Sequence, residues 1–312
     1  MKAIAFIYNP RAGKLLRHPG LVERTIDAVR SYGPVEVCPT TGPRTAGALA
    51  QQQVARGAKW IVVLGGDGTI NEVANGIVGT QAALVPLPGG TANVLCVETR
   101  VGTNPVKAAG AIGLRQPRRI AVGHLKNSTT DRYFLAMAGA GLDATVVNAV
   151  NPAIKDKLGK LAYWVSGFGM FGKSLAQFHS DIDGFVSQRS FLLASRVRNY
   201  GGDLEIARNI SLLDNCLEAV SFTGANSFRY MPYLVGVLLG KPDLCPGVDV
   251  RPARVLECQA INGHPVPIQV DGEAAGFLPA RIAVVPDAIT ILLPTEYIER
   301  AERNPWTTSP TP

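Results

Sequence analysis

Leu64-Gly65-Gly66-Asp67-Gly68-Thr69-Ile70-Asn71-Glu72 is the stretch on which the reading of this chain turns. Before it runs Ile61-Val62-Val63-Leu64, short and apolar as a buried strand is; after it Ile70, Val73, Ala74 and Ile77 recur at helical spacing. A strand that breaks into three glycines and resumes as a helix can bring backbone N–H groups close to an anion, and the helix start favours negative charge there. Glycine in such a turn can also serve backbone geometry alone. Asp67 speaks against that simpler account, because an acid in a phosphate cradle repels a bare phosphate but suits a cation lying between them.

The first 115 residues alternate two patterns. Residues 4–8, 35–38, 60–64 and 83–87 are short apolar runs that predict strands, and residues 21–31 and 45–56 carry helical periodicity. Strands joined by helices mean βαβ units, a parallel sheet and right-handed crossovers, with ligands outside the carboxyl ends of the strands. Two more turns fall at such ends: Pro88-Gly89-Gly90-Thr91-Ala92-Asn93 and Asn9-Pro10-Arg11-Ala12-Gly13-Lys14. In the latter Asn9 offers an amide, and Arg11 and Lys14 offer cations. Neither G-x-x-x-x-G-K-[ST] nor G-x-G-x-x-G stands at any of the three turns.

After Pro117 the rhythm changes. Residues 120–125, 133–138, 191–198, 217–222, 254–260 and 268–270 predict strands with few helices between them; helical pattern returns at 154–178 and 227–239. A strand pair is expected over 283–293 and a short helix over 295–303. The expected organisation is an α/β domain over 1–120, completed by about 285–303, a mainly β-sandwich domain over 121–284, and a disordered tail at 304–312.

Composition narrows the classes. The 312 residues carry 31 basic and 24 acidic side chains, a formal net charge of +7, with 46% hydrophobic and 18% charged residues, which is globular and long enough for two domains. No run of about 18 apolar residues predicts a spanning helix. The start, Met1-Lys2-Ala3-Ile4-Ala5-Phe6-Ile7, reads as a first strand rather than a signal peptide, so a cytoplasmic protein is expected. Five cysteines without a C-x-x-C pair exclude a zinc ribbon and argue against a disulfide framework. The four histidines lack ligand spacing. Positive charge invites a polyanion, yet there is no helix-turn-helix, zinc motif or basic stripe with interleaved aromatics, so no nucleic-acid partner is expected. The aromatic stretch 158–178, flanked by Lys155, Lys157, Lys160 and Lys173, reads as a core helix whose lysines add weak attraction to an anionic membrane.

The three turns together closely resemble the diacylglycerol kinase catalytic domain family, and the likeness continues through residues 134–144, 158–163, Gly201-Gly202, 214–219 and Val270-Asp271-Gly272-Glu273. It spans about residues 3–295. The resemblance implies a nucleotide-binding α/β domain like those of phosphofructokinase and NAD kinase, followed by a β-sandwich domain. It implies transfer of the γ-phosphate of ATP, with Mg2+, to a lipid alcohol such as diacylglycerol by a protein peripheral at the membrane; it leaves room for a homodimer. By that analogy Asn9, Pro10, Arg11, Ala12, Gly13, Thr40, Gly65, Gly66, Asp67, Gly68, Thr69, Ile70, Asn71 and Thr91 line the nucleotide. Glu273 is the proton acceptor, with Asp271 and Asp67 as the other catalytic acids. Charge neutralisation and a base beside the attacking hydroxyl are what phosphoryl transfer needs. The glycine turn after residue 270 can present both Asp271 and Glu273 to one cleft.

The resemblance also implies a structural magnesium held by the Asp214 carboxylate and the carbonyls of Ser211 and Cys216. Three residues depart from the family pattern. Leu213 stands where many relatives have a second aspartate, Asn215 replaces a glycine, and Val94 replaces an aspartate. Alternative readings are an NAD kinase-like enzyme, which shares the Gly-Gly-Asp-Gly-Thr turn, and a catalytically weak nucleotide- or lipid-binding protein.

Overall fold

A computed structural model describes residues 3–149, 175–201, 204–224, 233, 236, 245–261 and 263–303. The tail 304–312 and most of the expected helices over 154–178 and 227–239 lie outside these. In chain order the elements used below are β1 Ile4–Tyr8, α1 Gly13–Arg17, α2 Leu21–Arg30, β2 Val35–Pro39, α3 Ala46–Ala55, β3 Trp60–Gly65, α4 Asp67–Ile77, β4 Ala83–Pro88, α5 Val94–Glu98 and α6 Pro105–Gly110. They continue with β5 Arg115–Asn127, β6 Asp131–Phe134, β7 Met137–Gly141, α7 Leu142–Ala149, β8 Phe178–Ile182, β9 Phe185–Arg189, β10 Phe191–Ser195, β11 Asn199–Gly201 and β12 Leu204–Glu205. The last are β13 Leu217–Phe222, β14 Val248–Ala253, β15 Val255–Ala260, β16 Pro267–Val270, β17 Glu273–Phe277, β18 Ala280–Pro294 and α8 Thr295–Glu302.

The chain divides into two compact units, Met1–Val122 with Pro286–Pro312, and Gly123–Val285. In the first, β1, β2, β3 and β4 pair in parallel in the order β2-β1-β3-β4. The second half of β18 continues the sheet beside β4, also in parallel, through Thr290↔Ala83 and Ile291↔Leu84. β3 and β4 are buried along their whole length, which is why WIVVLG and ALVPLP are continuously apolar rather than alternating. On one face Ile4, Phe6, Val62, Leu64, Val85 and Leu87 pack with Ile26 and Val29 of α2 and Ala109 of α6. α3 and α4 cross so closely that a Cβ on Gly76 would stand 2.3 Å from the Gly47 carbonyl oxygen.

In the second unit a six-stranded antiparallel sheet runs β14-β13-β10-β7-β16-β17. A second layer is built from β15, the first half of β18, and the β8–β9 hairpin. One core joins the layers: Ala138, Leu192, Leu217 and Ile268 from the first sheet meet Phe178, Leu256 and Ile282 from the second. That is a β-sandwich.

Three local readings need correction. The expected strand pair over 283–293 is one long strand, β18, in which Pro286 and the left-handed Asp287 (φ 48°) mark an irregularity without reversing the chain. Phe178 opens β8 instead of ending a helix: Phe178, Ser180 and Ile182 face inward with the period of two that marks a strand. Within residues 134–144, which the family resemblance reads as a strand pair, Asp143 and Ala144 lie in the first turn of α7.

Candidate functional site

The three turns meet at the carboxyl ends of the parallel strands. The Asn9 N–H donates to the Leu64 carbonyl at 3.2 Å, and the Lys14 N–H, in α1, donates to the Gly89 carbonyl at 3.3 Å. The Gly89 N–H donates to the Gly65 carbonyl at 2.9 Å. These bonds fasten the turn after β1 to those after β3 and β4. Thr40, just past β2, joins the same edge through its N–H to the Tyr8 carbonyl at 2.9 Å. A Cβ placed on Gly13 would come 3.9 Å from the Thr91 hydroxyl.

The turns after β3 and β4 touch backbone to backbone. A Cβ on Gly89 would stand 2.8 Å from the Gly65 nitrogen, and one on Gly90 2.5 Å from the Gly66 Cα. Asn93 locks the second turn in the left-handed region, φ 50° and ψ 47°. Its side chain accepts from the Gly90 N–H and donates to the Gly90 carbonyl, both at 2.8 Å. Asparagine tolerates that backbone better than most residues. Asn93 was not among the predicted site residues, although the sequence Gly-Gly-x-x-Asn before a helix carried the signal.

Asp67 is the first residue of α4, next to N–H groups that favour an anion. Its Oδ1 is buried and has no hydrogen-bond partner among the described residues. Burial pushes its pKa above the ordinary carboxylate range; backbone N–H groups of Leu95, Val94 and Asn93 pull the other way. A buried carboxylate oxygen left without a donor, beside a glycine cradle, is chemically suited to a cation.

Other predicted residues have structural duties. Ile70 and Asn71 are buried in α4. The Asn9 Oδ1 accepts from the Arg11 N–H at 2.9 Å, an Asx turn that shapes the loop. Lys14 donates to the Thr103 carbonyl at 2.5 Å, and burial lowers its pKa. Glu72, last residue of the opening stretch, accepts from the Arg44 and Ala46 N–H groups at 3.0 Å and so caps α3.

In the second unit Val270-Asp271-Gly272-Glu273 forms the β16–β17 turn, with Asp271 at φ 49° and Gly272 at φ 78°. Its two acids diverge. Asp271 accepts from the backbone N–H groups of Leu135, Ala136 and Met137 at 3.3, 3.0 and 2.8 Å, and burial raises its pKa to about 6. Glu273 is exposed and pairs with Arg132 at 2.9 Å. The expectation that both carboxylates face one cleft is therefore corrected: the left-handed kink at residues 271–272 turns Asp271 inward.

A buried polar chain supports this turn. Gln269 accepts from the Gly272 N–H at 2.9 Å and donates to Asp143 at 2.7 Å; Tyr200 donates its hydroxyl to the other Asp143 oxygen. Burial raises Asp143 to about 6. Gly139 leaves the room, since a Cβ there would fall 1.7 Å from the Asp143 Oδ2. No spacing in the sequence announced the link between residues 143 and 269, which the β7–β16 pairing creates.

The predicted metal residues lie in one loop. Asp214 Oδ2 accepts from the Ser211 N–H at 2.6 Å and hydroxyl at 2.9 Å, and the Ser211 carbonyl accepts from the Asp214 N–H at 3.2 Å. The Cys216 carbonyl accepts from Arg196. Among the described residues no helix is long and apolar enough to cross a membrane.

Comparison with known proteins agrees with this architecture. A model of the diacylglycerol kinase catalytic domain matches residues 3–125, and a model of the YegS C-terminal NAD kinase beta sandwich-like domain matches residues 136–293. A diacylglycerol kinase of Bacillus subtilis (strain 168) is 25% identical over 309 residues, 97% of this chain and 100% of the relative. A protein named "Probable lipid kinase YegS-like" from Chromohalobacter salexigens is 28% identical over 254 residues, 79% of each chain. The crystal structure of a diacylglycerol kinase from Bacillus anthracis str. Sterne superimposes with a TM-score of 0.77 at 20% identity, covering 95% of this chain and 98% of that one. With glycine turns gathered at the ends of a parallel sheet, a β-sandwich following, and family models matching both halves, the chain belongs to the diacylglycerol kinase catalytic domain family.

Proposed function

We propose that this protein is an ATP-dependent lipid kinase that transfers the γ-phosphate to the hydroxyl of a lipid alcohol such as diacylglycerol. The observation that carries the reading is the backbone contact of Gly65-Gly66 with Gly89-Gly90 beside the buried Asp67 oxygen, in a chain whose relatives are named diacylglycerol and lipid kinases. Glycines there let a polyphosphate approach main-chain N–H groups without side chains intervening. Asp67 would hold the magnesium that accompanies ATP, and that ion would supply charge neutralisation on the phosphates.

Glu273 is the proton acceptor in this reading. It is exposed, and its carboxylate stays aimed by Arg132, while Asp271 fixes the turn from below. Removing the proton from a lipid hydroxyl needs such a positioned base. The substrate resides in a bilayer, so the protein works peripherally at the membrane surface, helped by its net charge of +7.

The test is ATP consumption with a panel of glycerolipids and sphingoid bases in mixed micelles. Phosphorylation of diacylglycerol is the expected result. ATP bound without any lipid being phosphorylated would remove the reading, and phosphorylation of NAD in place of lipid would replace it with an NAD kinase.

A further inference from the structure

Arg196 follows β10, where its N–H donates to the Ala136 carbonyl at 2.7 Å. Its side chain is fully buried and enters the loop between β12 and β13. There Nη1 donates to the Asp214 carbonyl at 2.7 Å and to the Cys216 carbonyl at 2.5 Å, while Nη2 donates to the Leu212 carbonyl at 2.8 Å. Arg198 adds a bond from Nε to the Ile210 carbonyl at 3.2 Å. Every second carbonyl from residue 210 to 216 thus accepts from one of two arginines.

This donor set does not fit the magnesium that the family resemblance implies. Magnesium demands oxygens at about 2.1 Å in near-octahedral array, and a cation that close to the Cys216 carbonyl would lie within about 5 Å of Nη1. Two cations at that separation in a buried loop repel, and the Arg196 charge cannot be shed at ordinary pH. Ser211 engages one oxygen of the Asp214 carboxylate, Oδ2, and the Ser211 carbonyl accepts from the Asp214 N–H. The other oxygen, Oδ1, is buried without a hydrogen bond among the described residues, but unlike the Asp67 oxygen it already feels the charges of Arg196 and Arg198. Glu218, the other buried acid here, accepts from the Asn209 N–H and side-chain amide at 2.8 and 2.9 Å. Charge count agrees: the guanidinium groups of Arg196 and Arg198 match the carboxylates of Asp214 and Glu218 one for one, which leaves no surplus negative charge for a divalent ion where Leu213 replaces a second aspartate.

We propose that the Arg196 guanidinium is the resident cation of this loop and does the structural work of a divalent metal, so that the second unit keeps its fold with no metal bound. A planar fork with five N–H donors can gather several carbonyls as a metal gathers oxygens. The inference does not depend on what the protein phosphorylates.

The test uses the full chain, free of nucleotide, dialysed against EDTA and then into metal-free buffer. Elemental analysis is expected to find less than about 0.1 magnesium per chain, and thermal unfolding to shift by under about 1 °C when magnesium chloride is added. A bound ion at a hundredfold its Kd would instead raise Tm by roughly 5–10 °C. That rise, if abolished by Asp214→Asn, overturns the proposal, as does about one magnesium per chain surviving EDTA. Arg196→Met is expected to lower Tm by more than about 10 °C or to prevent folding; a variant with wild-type Tm overturns the proposal from the other side. Because the wild-type measurements stand alone, failure of that variant to fold leaves the decision intact.

Discussion

Gly90 rests against Gly66, so close that a Cβ on Gly90 would stand 2.5 Å from the Gly66 Cα. Two turns from different strands therefore form a single main-chain surface, and neither can move without the other. Gly90→Ala should separate them. The expected cost is roughly 1–3 kcal/mol of stability, from overpacking against backbone that cannot yield. ATP affinity should fall tenfold or more, about 1.4 kcal/mol, because the N–H groups that face the phosphates lose their spacing. Calorimetry with ATP and a thermal melt check both. Unchanged affinity would mean the contact is not part of the nucleotide site.

Asp67 predicts opposite effects on stability and activity. Its Oδ1 is buried without a partner and burial disfavours its charged form, so the native state carries a desolvation cost. Asp67→Asn should leave Tm unchanged or higher while kcat falls on the order of 100-fold. A variant that loses both fold and activity would point to a structural role instead.

Glu273→Gln should lower kcat by about 100- to 10,000-fold with little change in Tm. The side chain is 55% exposed, and an ion pair such as its bond to Arg132 contributes at most about 1 kcal/mol. Steady-state kinetics beside a melt separates the two. Full activity in this variant would remove Glu273 as the base.

Asp143 makes stability depend on pH. Its folded pKa lies near 6, above the ordinary value of 3.8, because burial favours the neutral form. The folded state then binds the proton more tightly than the unfolded state, so this contribution is complete below about pH 4 and is lost as pH rises through 6. The swing is at most about 3 kcal/mol. Asp143→Asn cannot ionise, so the Tm of the wild type minus that of the variant should decrease from pH 4 to pH 7. A difference that stays level would show that folding does not raise the Asp143 pKa. Asp271 has the same sign, so part of the wild-type slope should persist in the variant.

Much of the parallel sheet was legible because its strands announce themselves. Residues 4–8 match β1, and the strands predicted over 60–64 and 83–87 differ from β3 and β4 by one residue. Strands buried on both faces must be apolar throughout, and glycine must stand where main chains meet. The sandwich was legible as a class but less so in detail. β8, β9, β14 and β17 carry mixed polar and apolar residues, since each lies at or near a sheet edge. The Asp143–Gln269–Gly272 chain could not be read at all. Its members are 126 and 3 residues apart, and only strand pairing makes them neighbours. Arg196 was invisible for a related reason: a fully buried arginine is the exception to what composition teaches.

Strand β18 has a consequence for how the polypeptide matures on the ribosome. The edge of β4 is covered by residues 290 and 291, which are synthesised some 200 residues after it. Until they emerge, the nascent amino-terminal half exposes an unpaired strand edge of the kind that recruits other chains. A fragment stopping near residue 125 should therefore self-associate, and its rescue by a peptide spanning residues 286–303 would report on the closing step of folding.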